Sequence, residues 1–201
     1  MPITINGSGT ITGVNVGGLP DGIVDTDMIA NNAVTSAKST ITGGKILQVQ
    51  SAVLTTAFTT GSMTSGQNYD ILTCDITPSA ATSKILIQWF ISQLAVTGGT
   101  DQVGMYLRRD TTGIGFPTSV GSRRSFTAFF SAWDNQHADR TKGNSGCWVD
   151  SPNSTSAITY RLTGYDGDGS GNIFINRSVD DTDNTTHART PSQLILMEVA
   201  A

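Results

Sequence analysis

From Lys45 onward, runs of β-branched and aromatic residues alternate with polar turns, and this alternation predicts antiparallel β-structure. Turn-rich stretches at 77–79 and 98–101 separate neighbouring runs, and no long segment carries apolar residues at helical period. The predicted strands are 45–53, 55–60, 67–76, 84–95, 103–109, 125–133, 146–150, 156–165, 172–177 and 192–200. About ten strands of this kind predict an all-β fold, an antiparallel β-sandwich of the jelly-roll type.

The first 43 residues contain no aromatic residue and no cysteine, so we divide the chain into an N-terminal arm, residues 1–43, and a β-domain, residues 44–201. Short extended pieces interrupted by glycines cannot bury enough apolar surface alone. We therefore expect the arm to dock on another protein, and a flexible leader is the alternative. The expected docking residues are Ile3, Ile5, Ile11, Val14, Val16 and Leu19. Two loosely similar stretches, 22–29 and 32–39, favour a collar that packs about a symmetry axis.

Two predicted strands, 84–95 and 192–200, are apolar on both faces. A sandwich strand normally exposes one face to water, so the second apolar face predicts contact with another subunit. A strand covered by a loop of its own chain is the alternative. We expect a homotrimer, with the following interface residues: Leu86, Phe90, Leu94, Leu194 and Leu196.

The charge balance excludes some partners. The net charge is −4 and the isoelectric point is near 4.9, which argues against nucleic acid because phosphate binding needs a basic field. No apolar run approaches the roughly 18 residues of a membrane span, so we expect no membrane partner. Residues 1–4 lack the features of a signal peptide, so we expect assembly in the cytoplasm.

The sequence offers no clear catalytic group. His137 and His187 are its histidines, no nucleophile elbow occurs, and the acidic residues cluster in turns. We therefore expect a protein without enzymatic activity and without a cofactor. Cys74 lies within a strand-like run, which predicts a buried free thiol that packs as a small apolar side chain.

Residues 166–172 resemble the first half of a calcium loop, with Asp166 and Asp168 as weak candidate ligands. The twelfth position of that loop is Arg177, where calcium binding needs a bidentate glutamate. We therefore favour a glycine-rich hairpin turn and expect no metal site.

A loop group combines an aromatic ring with amide and imidazole groups, a set that can stack on a sugar and bond its hydroxyls. Its members are Trp133, Asn135, Gln136 and His137. The alternative is an ordinary strand end, with Trp133 capping the core. The arginine pairs 108–109 and 123–124 can bind a carboxylate-bearing glycan, but we favour ion pairs with aspartates across subunit boundaries.

Stretches of both segments resemble a family of small tail-fibre-like structural proteins of tailed phages, notably those of cyanobacteria and marine bacteria. The similar stretches are 3–13, 16–22 and 32–35 in the arm, and 45–49, 76–86, 150–152 and 194–200 in the β-domain. The resemblance implies a homotrimer whose arm attaches to another virion protein and whose β-domain is displayed outward.

The resemblance carries no catalytic residues and implies that receptor contacts lie in variable loops. These loops correspond to 97–102, 111–124, 134–145 and 179–190. The expected function is that of a short tail fibre or adhesin that binds a host-surface glycan or protein. The alternative is a trimeric capsid decoration protein whose arm clamps capsid subunits by strand addition. A polysaccharide-degrading enzyme is a third class, but the chain lacks a plausible acid/base pair.

Overall fold

Period-two alternation of apolar and polar residues organises most of the chain into strands, as the computed structural model shows. It describes residues 4–5, 11–12, 44–97, 103–118, 121–130 and 141–201. The chain divides into two units, Met1–Thr42 and Gly43–Ala201. In the first unit, β1 (Thr4–Ile5) pairs antiparallel with β2 (Ile11–Thr12).

The expected docking residues of the arm fall mainly outside the described residues, namely Ile3, Val14, Val16 and Leu19. Ile5 and Ile11 are opposite each other in the backbone pairing of β1 and β2. Docking of the arm stays a prediction.

Each predicted strand overlaps a strand of the second unit, although 55–60 and 125–133 are matched only in part. The strands of this unit are β3 (Ile46–Leu54), β4 (Phe58–Thr59), β5 (Asn68–Ile76), β6 (Lys84–Thr97), β7 (Val103–Arg109), β8 (Thr112–Ile114), β9 (Ala128–Phe130), β10 (Lys142–Asp150), β11 (Ile158–Asp166), β12 (Asn172–Ile175) and β13 (Ser192–Val199). All ten predicted strands are present, β8 was not predicted, and β10 begins earlier than expected. Within the described ranges, no helix is long and apolar enough to cross a membrane.

The strands form two antiparallel sheets. The first sheet has the order β3-β13-β6-β12-β4, with β10 paired to β6. The second sheet has the order β5-β11-β7-β8, with β9 paired to β7. Strand β6 is long enough to pair with β13 along its first half, with β12 at its end, and with β10 along most of its length.

One apolar core lies between the two sheets. From the first sheet, Ile85, Ile87 and Ile91 are fully buried, and from the second sheet Tyr160 and Leu162 are fully buried. The all-β prediction of an antiparallel sandwich is therefore confirmed at the level of fold class.

A buried glutamate ties the C-terminal strand β13 to its neighbours. Glu198 is 0% exposed, and its carboxylate accepts hydrogen bonds from the Ser79 amide at 2.7 Å, the Ser79 hydroxyl at 2.6 Å and the Gln48 amide at 2.7 Å. Burial alone raises the pKa of Glu198, but these bonds and one from Ser83 outweigh it and lower the pKa to about 2. The charged carboxylate thus holds β3, β13 and the loop after β5 together.

A second buried acid joins the two sheets. Asp150 at the end of β10 accepts a hydrogen bond from the Tyr160 hydroxyl at 2.7 Å. Its carboxylate also forms an ion pair with Nη1 of Arg109 at 2.9 Å. Burial, together with the bond to Asp150, raises the pKa of Tyr160. The expected pairing of Arg109 across a subunit boundary is therefore wrong, because its carboxylate partner belongs to the facing sheet of the same chain.

Candidate interaction surfaces

Strand register decides which side chains leave the core. Residues that are directly opposite in an antiparallel pair share a face, and successive residues alternate between faces. Trp89 is buried and lies opposite Leu194 on β13 and Gly146 on β10. Phe90 is the next residue along β6, so it points away from the core and is 56% exposed.

The outward side of strands β3, β13, β6 and β10, called here the apolar face, carries a continuous cross-strand row of apolar side chains. Val49 lies opposite Met197, Met197 opposite Leu86, and Leu86 opposite Val149. The row therefore runs across all four strands. Val149 at one end is 54% exposed and Val49 at the other is 53% exposed.

The edge strand of the apolar face is β3. Ile46, Leu47 and Val53 of this strand are 40–56% exposed, and no residue of β3 is charged. Charges in the four strands are confined to Lys84 and Lys142 at strand starts, and to two buried acids at strand ends. A long, uncharged, apolar edge is a site for association with another chain.

Most exposed apolar side chains of the described residues gather on this one surface. Of the nine large apolar side chains that are exposed there, six belong to the apolar face and its edge strand. They are Ile46, Leu47, Val49, Val53, Phe90 and Val149. Scattered exposed apolar residues need no explanation, but a contiguous patch marks an interaction surface.

The expected interface residues divide between the two faces. Leu86 and Phe90 lie on the outward side as expected, whereas Leu94, Leu194 and Leu196 are 4%, 0% and 0% exposed in the core of their own chain. Placing these three leucines at a trimer interface was therefore wrong. The apolar residues that β13 presents outward are Ile195 and Met197, because Leu194 and Leu196 lie opposite core residues of β6.

The outer face of the second sheet, called here the polar face, has a different chemistry. Arg161 on β11 lies directly opposite Arg108 on β7. Arg161 forms an ion pair with Asp70 on β5, and Arg108 donates a hydrogen bond from Nη2 to the Thr111 carbonyl oxygen at 2.7 Å. These side chains line a groove of about 520 Å³ that also includes Asp110.

An aromatic cluster lies on the same face of this sheet, two residues along β7 from Arg108. Tyr106 stacks on Tyr165 with ring centroids 4.6 Å apart, and Phe116 approaches Tyr106 edge-on at 5.0 Å. The Phe116 ring lies over Gly113, which is opposite Arg108, and a Cβ atom at Gly113 would come within 2.3 Å of that ring. The absence of a side chain at Gly113 therefore lets the Phe116 ring approach the backbone of β8 next to Arg108.

Other rings extend the cluster along the same face. Phe126 lies over Gly104, where a Cβ atom would come within 2.2 Å of the ring, and contacts both Tyr106 and Phe129. Arg124 donates a hydrogen bond to the Tyr165 hydroxyl at 3.1 Å. The arginine pairs of the sequence are thus distributed over different partners, since Arg109 points to the core and Arg108 to the groove.

The calcium-like loop is a connection between sheets. Asp166 is buried, and its carboxylate accepts the backbone amides of Asp168 at 2.9 Å and Gly171 at 2.6 Å. Because β11 and β12 belong to different sheets, the predicted hairpin turn is wrong. No group of three or more His, Cys, Asp or Glu residues suited to a metal ion occurs in the part of the chain that the structure describes.

The two cysteines have opposite environments. Cys74 is buried in the core, as predicted, and burial raises the pKa of its thiol. Cys147 is a free, exposed thiol opposite Gln88 on the apolar face. The predicted sugar-binding group, Trp133, Asn135, Gln136 and His137, lies outside the described residues.

The predicted receptor loop 179–190 is held by its own ion pairs. Asp181 forms an ion pair with Arg189 of the same loop, and its carboxylate lies 3.5 Å from Nη1 of Arg177, just before the loop. His187 contacts Thr182 within the same loop. These contacts order the connection between β12 and β13 without marking a chemical site.

No family model and no curated protein matches the chain. Among solved structures, it is similar to a chain of "Structure of infectious bursal disease virus Gx strain", with 12% sequence identity and a TM-score of 0.28. The match covers 76% of this chain and 40% of that chain, so the present chain spans less than half of that protein's length. A likeness at this level carries no functional argument.

Proposed function

We propose that the chain is a structural protein of a phage virion, a short tail fibre or adhesin that works as a homotrimer. The arm, residues 1–43, attaches to another virion protein, and the β-domain is displayed for host-surface binding. The observation that carries this proposal is the apolar face, which is a surface suited to assembly. The resemblance of residues 3–13 and 194–200 to phage tail-fibre-like proteins supports the virion location.

A second copy of the same chain is the occupant that fits the apolar face best. The face is nearly free of charge, so two copies meet there without like-charge repulsion. Four strands about 4.8 Å apart and about eight residues long give a planar footprint of roughly 500 Å². Each copy can therefore contribute roughly 500 Å² of this surface to assembly, against about 800 Å² per partner in an interface of standard size.

A threefold arrangement needs two different contact surfaces on each subunit, because a cyclic trimer joins head to tail. The apolar face offers both. Its flat part, strands β6 and β10, carries Phe90 and Val149, and Ile46, Val49 and Val53 lie along the opposite edge strand, β3. The flat part of one copy can therefore cover the edge strand of the next.

The strand order supports the finer assignment of the β-domain as a jelly roll. Eight strands pair as β3-β13-β6-β10 in one sheet and as β5-β11-β7-β9 in the other. Consecutive strands such as β5 and β6 fall in opposite sheets, which is the connectivity of two Greek keys. Jelly rolls recur in viral capsid proteins and in lectins, so this assignment suits both assembly and surface recognition.

The test of the virion role is electron microscopy of intact particles with labelled antibody, together with a variant that lacks residues 1–43. We expect label on the tail, and we expect the truncated protein to form the same oligomer but to be missing from particles. Label on the head supports the capsid decoration alternative instead. Normal incorporation of the truncated protein contradicts docking by the arm, and absence of label from all particles contradicts the virion role.

A further inference from the structure

We propose that the groove on the polar face binds an acidic saccharide, with Arg108 as the group that recognises its carboxylate. This inference rests on the proposed role in host attachment, but it concerns the surface opposite the apolar face. It assigns recognition to the sheet β5-β11-β7-β8, and not to the loop that contains Trp133.

The arginine pair supplies the positive charge that recognises the carboxylate of the ligand. Arg108 and Arg161 are directly opposite each other on adjacent strands, an arrangement that is unfavourable unless negative charge lies nearby. Asp70 provides a carboxylate for Arg161. Among the described residues, Arg108 has no carboxylate partner and bonds the Thr111 carbonyl instead.

That single bond holds the Arg108 guanidinium in place without neutralising it. An arginine carries five N–H donors in a rigid fork, so most of them stay available after one bond to a backbone carbonyl. The fork matches the two oxygens of a carboxylate. Arg108 is half-buried, which strengthens such a contact relative to one on a fully solvated side chain.

The groove also supplies hydrogen-bond acceptors for the uncharged hydroxyl groups of a sugar. Asp70 and Asp110 place carboxylate oxygens that accept hydrogen bonds from sugar hydroxyls, and each is already oriented by a partner. Arg161 holds Asp70, and the Thr159 amide donates to Asp110 Oδ1 at 3.0 Å. Groups fixed before binding lose less conformational entropy when the ligand arrives.

Phe116 lies outside the groove lining but next to Gly113, the partner of Arg108, and we assign it as an apolar wall at the border of the site. Its ring lies over Gly113, is 38% exposed, and sits beside Arg108 on the same face. A pyranose ring has an apolar C–H side that packs against such a wall while its hydroxyls reach the aspartates. The groove volume of about 520 Å³ falls in the size range of small-molecule sites.

The test is isothermal titration calorimetry of the full-length protein. The ligands are two carboxylated probes, trigalacturonate and sialyllactose, and their neutral methyl esters. We expect at least one acid probe to bind more tightly than its ester. In Arg108→Gln, we expect that affinity to fall roughly 10- to 100-fold, the usual effect of losing a hydrogen bond to a charged group.

The matched control is Arg123→Gln, which removes the same charge from an exposed arginine that does not line the groove. It should leave the affinity unchanged, and thermal unfolding should confirm that both variants are folded. Equal binding of acid and ester, an equal loss in the two variants, or no binding of either acid overturns the proposal.

Light scattering on the same samples separates this inference from the proposed function. An intact oligomer that binds neither acid contradicts the groove alone. A monomer that binds an acid with loss in Arg108→Gln supports the groove and contradicts the assembly.

Discussion

Single residues of the β-domain divide into those that hold the sandwich together and those that it presents outward. Glu198 belongs to the first kind, because its buried carboxylate is bonded by three side chains and one backbone amide. Phe90 belongs to the second, because it lies on the same sheet but points into solvent. Glu198 and the surface around Phe90 are each tested below by a measurement at that position.

Acid should weaken the fold through Glu198. Its pKa is about 2 in the folded protein against an ordinary value of 4.5, so its contribution is fully present above pH 4.5 and is lost as the pH falls towards 2. Chemical unfolding at pH 7, 4.5 and 2.5 measures this loss. We expect Glu198→Gln to cost about 2–3 kcal/mol at pH 7 and to flatten the decline at low pH. An equal decline in both proteins would refute this role.

Cys147 reports whether the apolar face is covered. Its thiol is exposed on the single chain, on the strand next to Phe90 and two residues along β10 from Ser145, which is opposite Phe90. Alkylation should therefore be slow where a second copy covers the face, and fast in Phe90→Asp, whose charge disrupts that contact. Cys74 is buried in the core and should resist alkylation until the chain unfolds. Mass spectrometry of each peptide measures both rates. The same Cys147 rate in the two proteins would mean that this face stays open.

At the scale of strands, β6 and β13 each have one face in the core and one in solvent, and their two faces should respond differently to mutation. Leu196→Ala should cost about 2–5 kcal/mol of unfolding free energy, because it creates a cavity among fully buried side chains. Phe90→Asp should split the oligomer and leave the isolated β-domain folded.

Thr73→Asp is the matched control, since it places the same charge at an exposed position of the second sheet. It should change neither the mass nor the fold. Denaturant unfolding and sedimentation velocity distinguish these effects. A destabilised β-domain in Phe90→Asp with unchanged mass would place that side chain in the core, contrary to the structure.

The strands were predictable because alternation is a local property of the sequence. β8 was missed because Thr112, Gly113 and Ile114 are too few to show it. The inward face of β13 was not predictable, because Leu194 and Ile195 are equally apolar and the choice depends on the pairing with β6. The groove was missed for the same reason, since Arg108 and Arg161 meet only through the register of β7 and β11.

At the scale of the whole molecule, the β-domain has two unlike outer faces. One is apolar and uncharged across four strands, and the other combines arginines, aspartates and exposed aromatic rings. A chain that assembles through the first face leaves the second free for ligands. Several copies then present several grooves, so weak individual contacts add up to firm attachment.

Assembly through the apolar face is the central claim, and the mass of the purified full-length protein in solution tests it most directly. Static light scattering across a range of concentrations should give about three times the 21.1 kDa of one chain. A mass of 21.1 kDa at every concentration would contradict the claim, because the apolar face would then be a stable surface in water.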